Sequence, residues 1–323
     1  VRNFAASPIT NLTWVCDLSE ERSERATRGL PAVQATQDLK ELLAAPDVDA
    51  IAIATPASTH APIAMAAFAA GKHVLTEKPL ASTVEEGEQM VQEASRRGLV
   101  LMTDHTFCYT GTVRKLRDLL HTGSLGDIQY YDSVRISLGL VQEDIDVFWD
   151  LAPHDLSILD YILPSDVTPV GVSAQGADPL GVGHPCVGFF AMELSNGGIA
   201  HAHLNWLSPT KVRTTTIGGS KRMVVWDDLR PAQRLSVFDK GVDLEPLSDL
   251  DKRKALVSYR TGDMVAPVVD ETEALALVVE EFAESIREKR APATDGEAGL
   301  RVLRVLEAIG ESLEESGAII PIG

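Results

Sequence analysis

The stretch GKHVLTEKPL, Gly71–Leu80, decides the fold. His73–Thr76 reads as a buried strand, and it runs directly into a turn that carries Lys78 ahead of Pro79. The proline biases the lysine toward an extended or turn conformation. Upstream lies an alanine-rich helix, Thr59–Ala70, ended by Gly71. Before that helix, VDAIAIAT (Val48–Thr55) is nearly all apolar, as a parallel strand covered on both faces is. Downstream, Ser82–Arg97 reads as a helix with Thr83 and Glu86 in capping-box spacing, and Leu99–Thr103 as a further strand. Toward the start, Leu12–Asp17 is a short strand, Leu18–Arg28 a charged helix capped by Ser19 or Asp17, and Asp38–Ala44 a short helix. This alternation predicts a doubly wound parallel sheet.

The pattern changes after a helix at Gly111–His121. Ile128–Ile136, Val167–Ala174, Val187–Leu194, Ile199–Leu207, Lys211–Gly218 and Met223–Trp226 read as strands with few helices between them. AHAHLNW (Ala200–Trp206) alternates small or apolar with polar residues, as a strand with two different faces does. Two helices, Glu271–Glu288 and Gly296–Ser316, close the chain. The expected class is therefore α/β. A dinucleotide-binding (Rossmann) domain spans 1–122, and a domain built on a large, mostly antiparallel sheet spans 123–323.

The balance of 29 basic against 47 acidic residues, −18 overall, argues against binding nucleic acid or an anionic membrane. No apolar run approaches a membrane span, and no basic, apolar leader opens the sequence. Cys16, Cys108 and Cys186 are odd in number and widely spaced, with neither a disulfide framework nor zinc spacing. A cytoplasmic protein with no metal is expected.

A nucleotide-binding sheet normally opens with a strand, a glycine-rich turn and a helix whose first N–H groups hold a diphosphate. No GxGxxG occurs here, and Val1–Ser7 reads as the tail of a helix. The natural protein is expected to be longer. The rival is a genuine truncation, which would cripple cofactor binding. Asp17 ends the next strand, where an acidic residue hydrogen-bonds the adenosine ribose and disfavours a 2′-phosphate, so NAD is expected over NADP. The helix-capping reading of Asp17 is compatible with that role.

Asp150 and His154 stand four residues apart, about one helical turn. A lysine such as Lys78 and a histidine delivered to one pocket can bind a substrate hydroxyl and take its proton. The bland alternatives are a solvated lysine, a satisfied histidine, and an aspartate capping a helix beside Pro153. Asp155 reads as a first-turn acid complementing the helix dipole. His105 ends a strand on the carboxyl edge of the sheet, where ligands bind. Lys211 and Arg213 sit two apart on one strand face and suit a phosphate or carboxylate, against the reading of plain surface charge. His201, His203 and Asn205 share a face, where pocket lining or an interface fits better than a metal. Tyr161 reads as core, Tyr109 as packing, and Glu280, Glu281 and Glu284 as a solvated helix face.

Glu77-Lys78-Pro79 after a strand, preceded by Ala54-Thr55-Pro56 and His60, then Asp150 with His154 and the antiparallel domain, resembles the glucose-fructose oxidoreductase / inositol dehydrogenase / MocA family along essentially the whole chain. The resemblance implies a nicotinamide cofactor and oxidation or reduction at a sugar or cyclitol carbon. It also implies homodimers or homotetramers formed through the C-terminal sheet. Carried over, Lys78 is the pocket lysine, Asp150 the substrate-side carboxylate and His154 the acid/base. Ala54, Thr55, Pro56, His60 and Glu77 match stretches that line the cofactor. Within the family, Phe148–Ser157, including Trp149, and Trp206–Arg213 are similar to members acting on nucleotide-linked amino sugars, with UDP-N-acetylglucosamine or its uronic acid, oxidised at the 3-position, as the substrate type. The alternatives are a free cyclitol or aldose dehydrogenase and, in another class, a non-catalytic ligand sensor.

Overall fold

The structure is a computed structural model that describes residues 1–139, 141–142, 145–245 and 256–323. These residues group into two compact units. One is Val1–Thr110 with Glu271–Glu307, and the other is Gly111–Asp270 with Ala308–Gly323.

In the first unit the chain runs α1 (Arg2–Ala6), β1 (Trp14–Cys16), α2 (Glu20–Thr27), β2 (Gln34–Thr36), α3 (Leu39–Ala44), β3 (Ala50–Ile53), α4 (His60–Ala69), β4 (His73–Glu77), α5 (Val84–Arg97) and β5 (Leu101–Asp104). Every ladder in it is parallel: β1 with β2, and β3–β4–β5 in that order. Among the described residues no ladder joins β1 to β3, so the parallel sheet comes in two pieces. Local chemistry sets the ends of the elements. The Ser19 hydroxyl accepts from the Arg22 N–H at the start of α2, while Asp17 accepts from Ser19 N–H at 2.8 Å, so the two expected caps share one turn. Thr83 caps α5 through Glu86 N–H, and Glu86 reaches back to Ser82 N–H at 3.1 Å, one residue short of a standard capping box. Gly71, at φ 74°, ends the turn after α4.

The second unit contains α6 (Gly111–His121), β6 (Ile128–Leu138), α7 (Val147–Ile162), β7 (Pro169–Ala177), β8 (Val187–Leu194), β9 (Ile199–Asn205), β10 (Leu207–Gly219), β11 (Met223–Asp227), β12 (Leu235–Glu245) and β13 (Leu256–Val265). The chain then passes through α8 (Ala274–Glu288) and α9 (Gly296–Glu314) to β14 (Ile320–Pro321). The sheet has nine strands in the order β13-β12-β11-β10-β6-β9-β8-β7-β14, and its one parallel pair among the described residues is β6–β9. Six of its strands follow the sequence pattern. β12, β13 and the two-residue β14 were not anticipated.

Helix α7 covers one face of this sheet. Ala152, Leu156, Ile158 and Leu159 of the helix are buried, as are Ala200, Ala202 and Leu204 of β9 and Phe190 and Met192 of β8. Full burial of such a large apolar side chain contributes about 1.5–3 kcal/mol. Gly188 in β8 makes room for the helix, because a Cβ there would lie 2.1 Å from the Phe148 ring. Tyr161 is only partly buried, with the Arg117 guanidinium of α6 4.6 Å from its ring centre.

Two expectations about acids are corrected. α7 begins at Val147 with Asp146 as its cap, so Asp155 lies in mid-helix rather than in a first turn. Asp155 is buried and receives Arg135 Nε at 2.9 Å, Arg135 Nη2 at 3.1 Å and Ser133 Oγ at 2.8 Å from β6. Glu281 is likewise not a solvated face residue: it takes two 2.8 Å hydrogen bonds from Arg290 and one from Ala293 N–H. No helix of the described residues is long and apolar enough to cross a membrane.

Candidate active site

The carboxyl ends of the parallel strands gather the first set of expected residues. Asp17 follows β1 at its junction with α2. Burial, and then Asp17, Asp38 and Glu41, raise the pKa of the Cys16 thiol, and Arg22 Nη1 lies 4.0 Å from the Asp17 carboxylate. Ala54, Thr55 and Pro56 follow β3, and the Thr55 and Thr59 hydroxyls lie 2.6 Å apart.

His60, expected to line a cofactor, is only 1% exposed. One ring nitrogen lies 2.9 Å from the Pro79 carbonyl oxygen and the other 2.8 Å from that of Thr55. It therefore ties the loop after β3 to the turn after β4. That turn carries Lys78, joined to Pro79 by a cis peptide.

Glu77 ends β4 and stands beside Asp104 of β5 in the parallel register. Burial raises the Glu77 pKa, partly offset by the Lys78 N–H and charge. Asp104 is pushed up to about 6, by burial first and by Glu77 as well, against the Thr106 hydroxyl that donates to it at 2.7 Å. His105 is 2% exposed, and neither ring nitrogen has a hydrogen-bond partner. Burial, reinforced by Lys78, lowers its pKa to about 3. Burial thus favours the neutral imidazole at His105.

The second set lies on the first turns of α7. Asp146 caps the helix, accepting from Phe148 N–H at 2.8 Å and Trp149 N–H at 2.9 Å. Asp150 falls one turn into the helix, and the Trp206 indole N–H donates to its Oδ2 at 3.1 Å. His154 follows one turn later, with Pro153 inside the helix before it. Trp206 packs edge-on against His184, ring centres 6.2 Å apart, and the buried ring nitrogens of His184 have no hydrogen-bond partner.

The expected residues thus fall into two groups, one per unit. Lys211 and Arg213 both lie on β10. Lys211 is exposed, whereas Arg213 sits opposite Arg135 and 3.8 Å from Asp228. Across the sheet, His201 hydrogen-bonds Asp132 at 2.8 Å and His203 stacks on Phe189 at 4.3 Å. No group of three or more side chains that could hold a metal ion occurs among the described residues. Sequence reasoning missed Asp104 and His184. Asp104 adjoins the noted His105 on a strand end, and that position was the available signal.

Known proteins resemble the chain along nearly its whole length. Residues 1–105 match the description "Oxidoreductase family, NAD-binding Rossmann fold" and residues 117–322 match "Oxidoreductase family, C-terminal alpha/beta domain". The chain is 31% identical over 326 residues to UDP-N-acetylglucosamine 3-dehydrogenase of Acidithiobacillus ferrooxidans, covering 93% of this chain and 90% of that protein. The solved structure of that enzyme, GnnA, superposes with a TM-score of 0.79 at 27% identity, covering 97% of this chain and 93% of the other. Scyllo-inositol 2-dehydrogenase (NADP(+)) IolW of Bacillus subtilis is 25% identical over 329 residues, 95% of this chain and 88% of that protein. With both family regions matched along nearly its whole length, the chain belongs to the Gfo/Idh/MocA family of NAD(P)-dependent oxidoreductases.

Proposed function

We propose that this protein is a cytoplasmic NAD-dependent dehydrogenase acting on a secondary alcohol of a nucleotide-linked amino sugar, of the UDP-N-acetylglucosamine 3-dehydrogenase type. The observation that carries the reading is the end-to-end likeness to that enzyme, 31% identical over 93% of the chain. The strand-end chemistry fits a dinucleotide: Asp17 offers a carboxylate for a ribose diol, and a carboxylate at that position disfavours a 2′-phosphate. The buried His105 nitrogens, without hydrogen-bond partners, suit a polar ligand group. Ala54, Thr55, Pro56 and Glu77 would line the cofactor, with His60 holding their loops.

When bound, nicotinamide supplies the hydride acceptor or donor. The chain supplies the rest. His154 takes the substrate hydroxyl proton, Lys78 donates a hydrogen bond to the same oxygen and stabilises its developing charge, and Asp150 orients histidine or sugar. Trp149, His105, Lys211 and Arg213 are assigned to the substrate, the two cations to its phosphates. The half-exposed sheet face with Phe189, Ile199, His201 and His203 is assigned to contact with a second copy of the chain.

A second reading, inositol dehydrogenase, has the IolW likeness in its favour. The test is NADH formation from NAD with UDP-N-acetylglucosamine, its uronic acid, N-acetylglucosamine and inositols. Turnover confined to nucleotide sugars and abolished in Lys78→Ala and His154→Ala is expected. Turnover of inositols alone would overturn the substrate assignment.

A further inference from the structure

We propose that Asp104 and Glu77 form a buried acid pair that selects the oxidised, cationic nicotinamide over the reduced, neutral one, and that protonation of the pair switches this selection off. The inference rests on the dinucleotide reading above.

The geometry comes first. Glu77 and Asp104 are register partners at the carboxyl ends of adjacent parallel strands. Asp104 is 6% exposed and Glu77 is only partly exposed. Ligands in doubly wound folds bind at this edge. His105, the next residue, is almost wholly buried with both ring nitrogens lacking a hydrogen-bond partner, which independently marks the spot as one that a polar ligand completes.

The charges facing Asp104 can be named element by element. The end of β4 presents Glu77 and Lys78, and α4 contributes the buried His60 beyond the Pro79 turn. Its own strand end contributes His105 and the Thr106 hydroxyl. Helix α5 buries only Gly87, Met90 and Ala94. The segment entering α9 pairs with β5 through Thr294 and Asp295, and Asp295 is committed to Ala298 N–H.

Lys78 balances one carboxylate, so an ionised Asp104 leaves a net negative charge in a poorly screened place. Such a charge favours a ligand bearing a positive ring over the same ligand with a neutral one. Asp104 titrates near 6, so the preference operates above that pH and fades below it. Because reduction of the cofactor removes the ring's positive charge, the pair also leans the bound equilibrium toward oxidised cofactor.

The test measures dissociation constants of NAD+ and NADH by calorimetry at pH 5.5 and pH 8, for the wild-type protein, Asp104→Asn and Glu77→Gln. Asparagine keeps an acceptor for Thr106, and thermal melts confirm folding. In the wild type, the ratio of the NAD+ constant to the NADH constant should rise about tenfold from pH 8 to pH 5.5. Asp104→Asn should show the low-pH ratio at both values, with Glu77→Gln shifted in the same sense. A wild-type ratio independent of pH, or an Asp104→Asn ratio that keeps the wild-type pH dependence, overturns the acid pair while leaving dinucleotide binding intact. Absence of binding by either cofactor to the wild type at both pH values overturns the dinucleotide reading and the acid pair with it.

Discussion

Replacing Asp155 by alanine should cost about 3–5 kcal/mol of unfolding free energy, the range for removing one partner of a buried ion pair. The structure supplies the reason. The Asp155 and Arg135 side chains are 1% and 8% exposed, and the carboxylate accepts three hydrogen bonds, at 2.8, 2.9 and 3.1 Å. A guanidinium cannot escape by losing its proton, so Asp155→Ala leaves Arg135 charged, desolvated and without its carboxylate. It also leaves Arg135 facing Arg213, its cross-strand partner, a like-charged pair that destabilises a sheet.

The assay is urea unfolding followed by tryptophan fluorescence, with the half-buried Trp149 and the buried Trp206 and Trp226 as the second unit's reporters. Arg135→Met combined with Asp155→Leu should recover most of the loss, since apolar replacement of a buried pair is commonly neutral or stabilising. A single-variant loss below about 1 kcal/mol, or a double variant as unstable as the single, would refute the claim that this pair anchors α7.

Other expectations follow from the same contacts. His60→Ala should cost about 1–3 kcal/mol and weaken NADH binding more than it slows turnover, because His60 ties the Thr55 loop to the Pro79 turn without reaching the reacting atoms; NADH fluorescence titration against steady-state kinetics checks the split. Gly188→Ala should cost about 1–3 kcal/mol by pushing Phe148 out of place, and Phe148→Leu in that background should return part of it in thermal melts. Asp104 binds its proton more tightly folded than unfolded, so its stabilising effect is complete below its ordinary value of 3.8 and is lost as the pH rises through about 6. Asp104→Asn should therefore match the wild type near pH 4 and exceed it by about 3 kcal/mol at pH 8 in denaturant titrations. His105 works in the opposite sense: its neutral form favours the fold, and that stability is present above 6.5 and lost as the pH falls through about 3, so His105→Gln should flatten the acid limb of the stability curve.

Strand and helix periodicity made much of the architecture legible. Val48–Thr55, His73–Thr76 and Leu99–Thr103 are apolar because both faces of a parallel strand are covered, and the structure places β3, β4 and β5 within or beside them. β12 was not anticipated, although LSVFDKGVDLE alternates, because its charged and glycine residues dilute the apolar signal that a half-exposed strand gives. The role of Asp155 was hidden for a different reason. Its partner Arg135 lies 20 residues away on another element, and a buried charge looks like a surface charge until that partner is known. The start of α7 was misjudged because Pro153 suggests a helix beginning, whereas Asp146 caps the helix with two backbone N–H bonds and the proline sits inside it.

The two groups of expected residues are held by different means, and the difference bears on how the protein would fail. Lys78 stands on a turn that His60 ties to the Thr55 loop between two carbonyl oxygens, with Leu80 and Ala81 buried just beyond it. Asp150 and His154 depend on a helix with three separate holds: the Asp146 cap, the Asp155–Arg135 pair and the Phe148 ring seated over Gly188. Removing one hold of three costs stability before it costs geometry, because the remaining two still fix the helix axis. Removing His60 takes away the tie between the Thr55 loop and that turn, both of which carry residues assigned to the cofactor. Asp155→Ala and Gly188→Ala should therefore show lowered melting temperatures with near-normal rates, whereas His60→Ala should show weakened cofactor binding on top of its stability loss of about 1–3 kcal/mol.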